Sequence, residues 1–298
     1  MVIRSGHLSP EQKISSEKDH FGLIDCGWQI KYYSAWSLEK GQSIARVAGN
    51  VKLESILVAA VSLFQFNAAN AAEITVLASG ATKEVIVELI PHFEKSSGNK
   101  VAITWTGTEN IKKRIAAGEV YDLVIVGGPV IDAFSQQGKV VPGSRVDLMK
   151  SGVGAAVRAG APKPDIGSGE ALRKTLLAVK SIGYSSGPSG DYVVSLIERM
   201  GIADQVKPKM KQVPSGTRIS TIIESGEVEI GFQQVSELIH EKGIDYLGPL
   251  PSDVQKITVF SAGLHTGAKE PEAAKALVKT LTGSGAASVI KEHGMEPG

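Results

Sequence analysis

Short β-branched runs alternating with amphipathic stretches fill residues 72–298, and that alternation restricts the chain to few folds. Ile74-Thr75-Val76-Leu77-Ala78 reads as a strand, and Thr82 to Glu94 as a helix. Val101 to Trp105 and Asn110 to Ala117 repeat the pair; Asp122 to Val126 then adds an apolar strand, closed by Gly127-Gly128-Pro129, with a helix to Gln136. Strands apolar throughout and alternating with helices imply a parallel sheet covered on both faces. Right-handed crossovers then set every strand's C-terminal end along one edge.

The order restarts after a glycine-rich extended passage, Ser151 to Val157. Helices are expected over Gly169–Val179, Asp191–Met200 and Ile219–Glu224, and strands over Ser181–Tyr184, Met210–Val213 and Glu229–Gln233. Ile257 to Gly263 is a long apolar strand, followed by helices Glu270–Leu281 and Gly285–His293. The reading is an α/β fold of two lobes, each a mainly parallel sheet flanked by helices, joined by a double-crossover hinge near 153 and 258. Residues 72–150 with 258–298 form lobe I, and 151–257 form lobe II. Such a hinge permits closure around a ligand.

Upstream, an apolar run from Ile56 to Phe66 follows Lys52 and precedes Asn67-Ala68-Ala69-Asn70-Ala71-Ala72. A basic start, a short apolar stretch and small residues at Ala69 and Ala71 make a secretory signal over 51–71, cleaved after Ala71. The run is too short to span a bilayer. The product is therefore expected in the periplasm. Residues 1–50 carry Trp28, Trp36 and the single cysteine, Cys26, without helical or strand period, and read as a non-native or disordered extension. One cysteine excludes an intramolecular disulfide. A net charge of +1 gives no footprint for nucleic acid.

Four turns at strand ends are rich in Gly, Ser and Thr: Ser79-Gly80-Ala81-Thr82, Thr106-Gly107-Thr108-Glu109, Ser185 to Gly190, and Pro214 to Thr217. Each offers free backbone N–H groups at a helix start, where the dipole favours an anion. One such turn alone is a helix cap. Four in two lobes point to a binding cleft. Enzyme signatures are absent: no zinc spacing, no dinucleotide glycines, no nucleophile elbow and no phosphate loop. Neither catalysis nor a cofactor is expected, a hydrolase being the lesser alternative.

From Ala72 onward the chain resembles the molybdate-binding periplasmic proteins of bacterial ABC transporters. The resemblance is carried by Ile74 to Ser79, by Lys113-Arg114-Ile115-Ala116-Ala117-Gly118 before Asp122-Leu123, and by Ile230-Gly231-Phe232. It implies a monomer that captures a small anion, molybdate or tungstate, and delivers it to a membrane permease. It further implies that hydroxyls and amides of the first two loops hold the ligand, here Ser79, Gly80, Ala81 and Thr82, then Thr106, Gly107 and Thr108. The second lobe's donors fall on Ser186, Gly187, Ser189 and Thr217, with Arg218 beside them. A tyrosine of the family falls on Gln234, next to Gln233. The alternative ligand is a small organic acid, for which Gln233, Gln234 and Glu109 would be polar selectors, because an amide both donates and accepts.

Overall fold

A computed structural model describes residues 71–298. The proposed extension, Cys26 and the signal segment up to Asn70 lie outside the described residues.

Strand β1 (Glu73–Ser79) pairs parallel with β2 (Lys100–Thr106) along its whole length, from Glu73 opposite Lys100 to Ser79 opposite Thr106. It also pairs parallel with β3 (Leu123–Gly127). Between β1 and β2 runs α1 (Lys83–Ser97), which buries Val85, Ile86, Leu89 and Phe93 against the sheet. The sequence reading ends this helix at Glu94, yet it runs on to Ser97 with Pro91 inside it and closes at Gly98, whose left-handed φ is 76°. The reason is orientation: Pro91 frees the carbonyl of Val87, and Val87 lies on the exposed face, where water serves that carbonyl. Helix α2 (Thr108–Ala116) leads from β2 to β3, and α3 (Gly128–Gln136) follows β3.

Strand β4 (Val146–Arg158) belongs to both halves of the molecule. Val146 to Gly152 pair antiparallel with β9 (Ile257–Leu264), and Val153 to Arg158 pair antiparallel with β7 (Ile230–Gln234) and β8 (Ile244–Pro249). The second half repeats the first: α4 (Gly169–Ala178), β5 (Ile182–Tyr184), α5 (Pro188–Arg199), the short α6 (Ala203–Val206), β6 (Met210–Gln212) and α7 (Ser220–Glu224). Here β5 pairs parallel with both β6 and β7. Strand β9 returns the chain to the first half, antiparallel to β3, before α8 (Pro271–Leu281), α9 (Ala286–Glu292) and β10 (Glu296–Pro297). The sheet order is β2-β1-β3-β9-β4-β7-β5-β6, with β8 and β10 also on β4.

The consecutive βα units are thus parallel, as the alternation implies, and the antiparallel ladders come from the long strands β4 and β9 and from β8. Strand β8 was not foreseen. Its Asp245, Gly248 and Pro249 interrupt any β pattern, and the ladder on β4 overrides that weak local preference.

Each half has its own apolar core. Ile74, Val76, Phe93, Phe260 and Ile290 lie in one, and Val153, Leu172, Ile197 and Phe232 in the other. Burying each such side chain contributes about 1.5–3 kcal/mol. Asp122, only 2% exposed, pins β3 to its neighbours: one carboxylate oxygen accepts from the Thr75 N–H (2.8 Å) and hydroxyl (2.7 Å), the other from the N–H groups of Lys269 (2.7 Å) and Glu270 (2.8 Å). Among the described residues no helix is long and apolar enough to cross a membrane.

Candidate functional site

The parallel register brings the C-terminal ends of β1, β2 and β5 to loops that enclose a cavity of about 170 Å³. From the first half come Ser79, Gly80, Ala81, Lys83, Trp105, Thr106, Gly107 and Thr108. From the second come Ser185 to Ser189, Pro214, Gly216, Thr217, Arg218, Gln233, Gln234 and Glu237. Phe260 of β9 completes the wall. A larger cavity of about 970 Å³, beside Gly152, Tyr246, Gln255 and Ile257, contains none of these loops.

Three helix starts reach this cavity. Gly80-Ala81-Thr82 forms a single tight turn that feeds α1. Gly107, extended at φ −85° and ψ 163°, precedes α2, and Gly187 precedes α5 with Pro188 at its first position. A side chain on Gly190 is impossible, since its Cβ would stand 1.6 Å from the Ser185 carbonyl. That contact folds the serine loop back onto the first turn of α5. Within it the hydroxyls of Ser185 and Ser189 meet at 2.8 Å, while the buried Ser186 hydroxyl has no hydrogen-bond partner. An unpaired buried hydroxyl costs about 1–3 kcal/mol, so a ligand acceptor at this position recovers that cost.

The two halves touch across the opening. The Asn110 side-chain amide donates to the Ser215 carbonyl (3.0 Å), and the Asn110 N–H donates to the Ser215 hydroxyl (3.3 Å). A Cβ on Gly107 would lie 2.4 Å from the Gly216 nitrogen, so the two loops meet backbone to backbone. Arg218 of the second half pairs with Glu84 of α1 at 2.9 Å and also with Glu241.

Glu237 sits on the turn after β7 with its carboxyl in the cavity wall. Burial pushes this carboxyl up to about 7, against the opposing pull of Arg218, the Gln233 side chain and the Gln234 N–H. Gln233 accepts the Ile219 N–H on its oxygen at 2.7 Å, which leaves its amide nitrogen for Glu237. Gln234 is almost wholly buried. With its nitrogen turned to the β4 carbonyls it donates to Ser151 (3.2 Å) and Gly152 (3.1 Å), and its oxygen accepts from the Thr258 hydroxyl (3.1 Å).

Of the residues expected from sequence, Ser79, Gly80, Ala81, Thr106, Gly107, Thr108, Ser186, Gly187, Ser189, Thr217, Gln233 and Gln234 all line the cavity. Thr82 does not. It is fully buried, and its hydroxyl donates to the Ser79 carbonyl at 2.9 Å. Glu109, considered as a selector, faces outward and pairs with Lys112 at 2.7 Å. Sequence reasoning missed Lys83, Trp105, Glu237 and Phe260. The rule that chose the other loops, the turn after a strand's C-terminal end, would have found Glu237 if applied to β7. Among the described residues no cluster of His, Cys, Asp or Glu could hold a metal ion.

Comparison with known proteins places this arrangement. The family model for bacterial extracellular solute-binding proteins matches residues 74–296. An aconitate isomerase from Pseudomonas sp is 36% identical over 230 residues, covering 75% of this chain and 87% of that protein. The molybdate-binding protein ModA of Azotobacter vinelandii is 26% identical over 234 residues, covering 76% of this chain and 91% of that protein. The solved structure of the Azotobacter vinelandii periplasmic molybdate-binding protein superposes with a TM-score of 0.64 at 19% identity, over 74% of this chain and 98% of that one.

Proposed function

The chain belongs to the family of bacterial extracellular solute-binding proteins, and on that premise we propose that it captures a small organic anion between two lobes. The observation that carries this reading is the unpartnered Ser186 hydroxyl in a cavity where three helix starts, Lys83 and Arg218 converge. Aligned amides and cations stabilise negative charge, and a buried donor without a partner calls for an acceptor. In this reading lobe I comprises 72–150 with 258–298 and lobe II 151–257, and the β4–β9 changeover is the hinge. The protein is exported, works as a monomer in the periplasm and hands its ligand to the membrane permease of an ABC transporter.

A carboxylate-bearing ligand is favoured over molybdate or tungstate by relatedness rather than by the donor set, since both classes offer only acceptors when ionised. The relative named aconitate isomerase points the same way. Thermal-shift and calorimetric screening against cis- and trans-aconitate, tricarballylate, molybdate, tungstate and sulfate tests the assignment. A ligand at about 100 times its dissociation constant adds roughly 2.7 kcal/mol of stability. Binding of molybdate alone would replace the carboxylate assignment with the oxyanion one, and silence from every anion would overturn anion capture.

A second reading, turnover, has one specific observation behind it: a cavity carboxyl near neutrality is poised for proton transfer. Incubating the protein with trans-aconitate and following the cis isomer by proton NMR decides between capture alone and capture with isomerisation. Glu237→Gln would abolish such turnover while leaving binding in place.

A further inference from the structure

We propose that Glu237 is a proton-coupled selector of this site: it takes up one proton as an anion enters, and while ionised it turns fully ionised anions, carboxylates and oxyanions alike, away. The inference rests on the anion-capture reading above.

Its basis is placement. The turn Val235–Glu237 closes β7 and packs against the Gly80–Thr82 turn, where the Ser236 hydroxyl donates to the Ala81 carbonyl at 2.8 Å. That contact holds the Glu237 carboxyl opposite Gly80, whose Cβ position lies 3.5 Å from Oε1. The charged group acting on it is Arg218, on the loop before α7, while Lys83 at the start of α1 lines the same cavity. Arg218 is already shared between Glu84 on α1 and Glu241 beyond the turn, so it neutralises Glu237 only in part. Burial accordingly leaves the carboxyl titrating at about 7, with the Gln233 and Gln234 donors opposing the shift.

An anion entering this wall adds a like charge and drives the carboxyl further towards its neutral form. The neutral acid carries an O–H, which donates to an anionic oxygen of the ligand. The ionised form carries only lone pairs and repels it. Capture therefore consumes one proton wherever free Glu237 is ionised. Above neutrality, affinity falls about tenfold for each pH unit, following the proton concentration. A glutamine at this position keeps the shape and supplies a permanent N–H donor, so it removes the pH dependence and admits a fully ionised oxyanion in alkali.

Isothermal titration of wild type and Glu237→Gln with tricarballylate and with molybdate, at pH 6.5, 7.5 and 8.5 in two buffers of different ionisation enthalpy, tests this. These conditions span the titration at about 7. The expected result is uptake of close to one proton per ligand by wild type in the alkaline arm, no uptake by the variant, and a gain in molybdate affinity in the variant there. Wild-type binding without proton uptake overturns the selector role while anion capture stands, and that measurement needs no variant. A pH slope retained in Glu237→Gln likewise overturns it. Failure of both probes to bind either protein overturns the selector and the anion site together.

Discussion

One side-chain amide, that of Gln255, engages both backbone groups of Val153: its oxygen accepts the Val153 N–H at 2.8 Å, and its nitrogen donates to the Val153 carbonyl at 3.0 Å. The same nitrogen reaches the Leu250 carbonyl at 3.1 Å. Val153 is the residue at which β4 leaves the ladder with β9 and joins the ladder with β7. Gln255 stands two residues before β9. The two crossings of the chain between halves, at Val153 and just before β9, are therefore tied to each other. Gly152 permits the contact, since a Cβ there would come within 3.0 Å of the Gln255 nitrogen.

Gln255→Ala removes that tie and leaves the Val153 N–H without its partner, while the Val153 carbonyl keeps the Leu250 N–H at 2.8 Å. The expected cost is about 1–3 kcal/mol in urea unfolding. Small-angle scattering of the unliganded variant should show a broader distribution of dimensions than wild type. Unchanged stability would mean that water replaces the amide and that the tie contributes little.

Gln234→Tyr tests the position onto which the resemblance places a tyrosine. The resemblance implies a ligand contact there, but the Gln234 amide is committed to Ser151, Gly152 and Thr258 at the changeover. Tyrosine cannot reproduce two donors and an acceptor in a space 2% exposed, so a loss of about 1–3 kcal/mol is expected with no gain in molybdate affinity. A tighter molybdate complex, read by calorimetry, would return Gln234 to the role of a ligand contact.

The latch between Asn110 and Ser215 supports the third prediction. Two hydrogen bonds join these residues across the opening, and neither contributes to either core. Asn110→Ala removes the side-chain bond and keeps the backbone one; it should leave unfolding stability nearly unchanged and weaken ligand binding, through faster release, by roughly 0.5–1.5 kcal/mol, or about three- to tenfold. Stopped-flow dissociation measures it directly. An unaltered release rate would show that closure does not depend on this contact.

The sequence displays the βα units because Val76 to Ala78 and Leu123 to Val126 are apolar without a break, a pattern that a sheet covered on both faces requires. Its Gly-Ser-Thr turns likewise mark most of the cavity wall, since glycine is needed wherever loops meet backbone to backbone, as Gly107 meets Gly216. The crossing at β4 is legible, since Ser151 to Val157 reads as the extended passage near 153, but the strands that each part of it pairs with are not, because they are distant in sequence. The environment of Glu237 is hidden for a related reason. Its titration near neutrality arises from burial against Gly80 and from an arginine shared with two other carboxylates, and these neighbours are distant in sequence.

The last prediction concerns stability and pH, where Asp122 and Glu237 act with opposite sign. Burial raises the Asp122 carboxyl, but the N–H groups of Thr75, Glu270 and Lys269 and the Thr75 hydroxyl outweigh it and hold it below its usual 3.8. A depressed carboxyl stabilises the fold above its unfolded value, and that contribution disappears as pH falls through the folded one. Asp122 therefore sets an acid limit below about 4. Glu237 is raised from 4.5 to about 7, so the folded state holds a proton that the unfolded chain has released. Its contribution is complete below 4.5 and is lost as pH climbs to about 7, after which it stays flat. The full span amounts to about 3 kcal/mol at roughly 1.4 kcal/mol per unit. Unliganded protein should accordingly be more stable at pH 5 than at pH 8 in urea titrations, and Glu237→Gln should flatten that slope. Asp122→Asn should cost about 2–4 kcal/mol at neutral pH, since an amide offers one acceptor oxygen to four donors. A wild-type profile flat from pH 5 to 8 would show that Glu237 is ionised throughout, with Arg218 a stronger partner than its sharing between Glu84 and Glu241 implies.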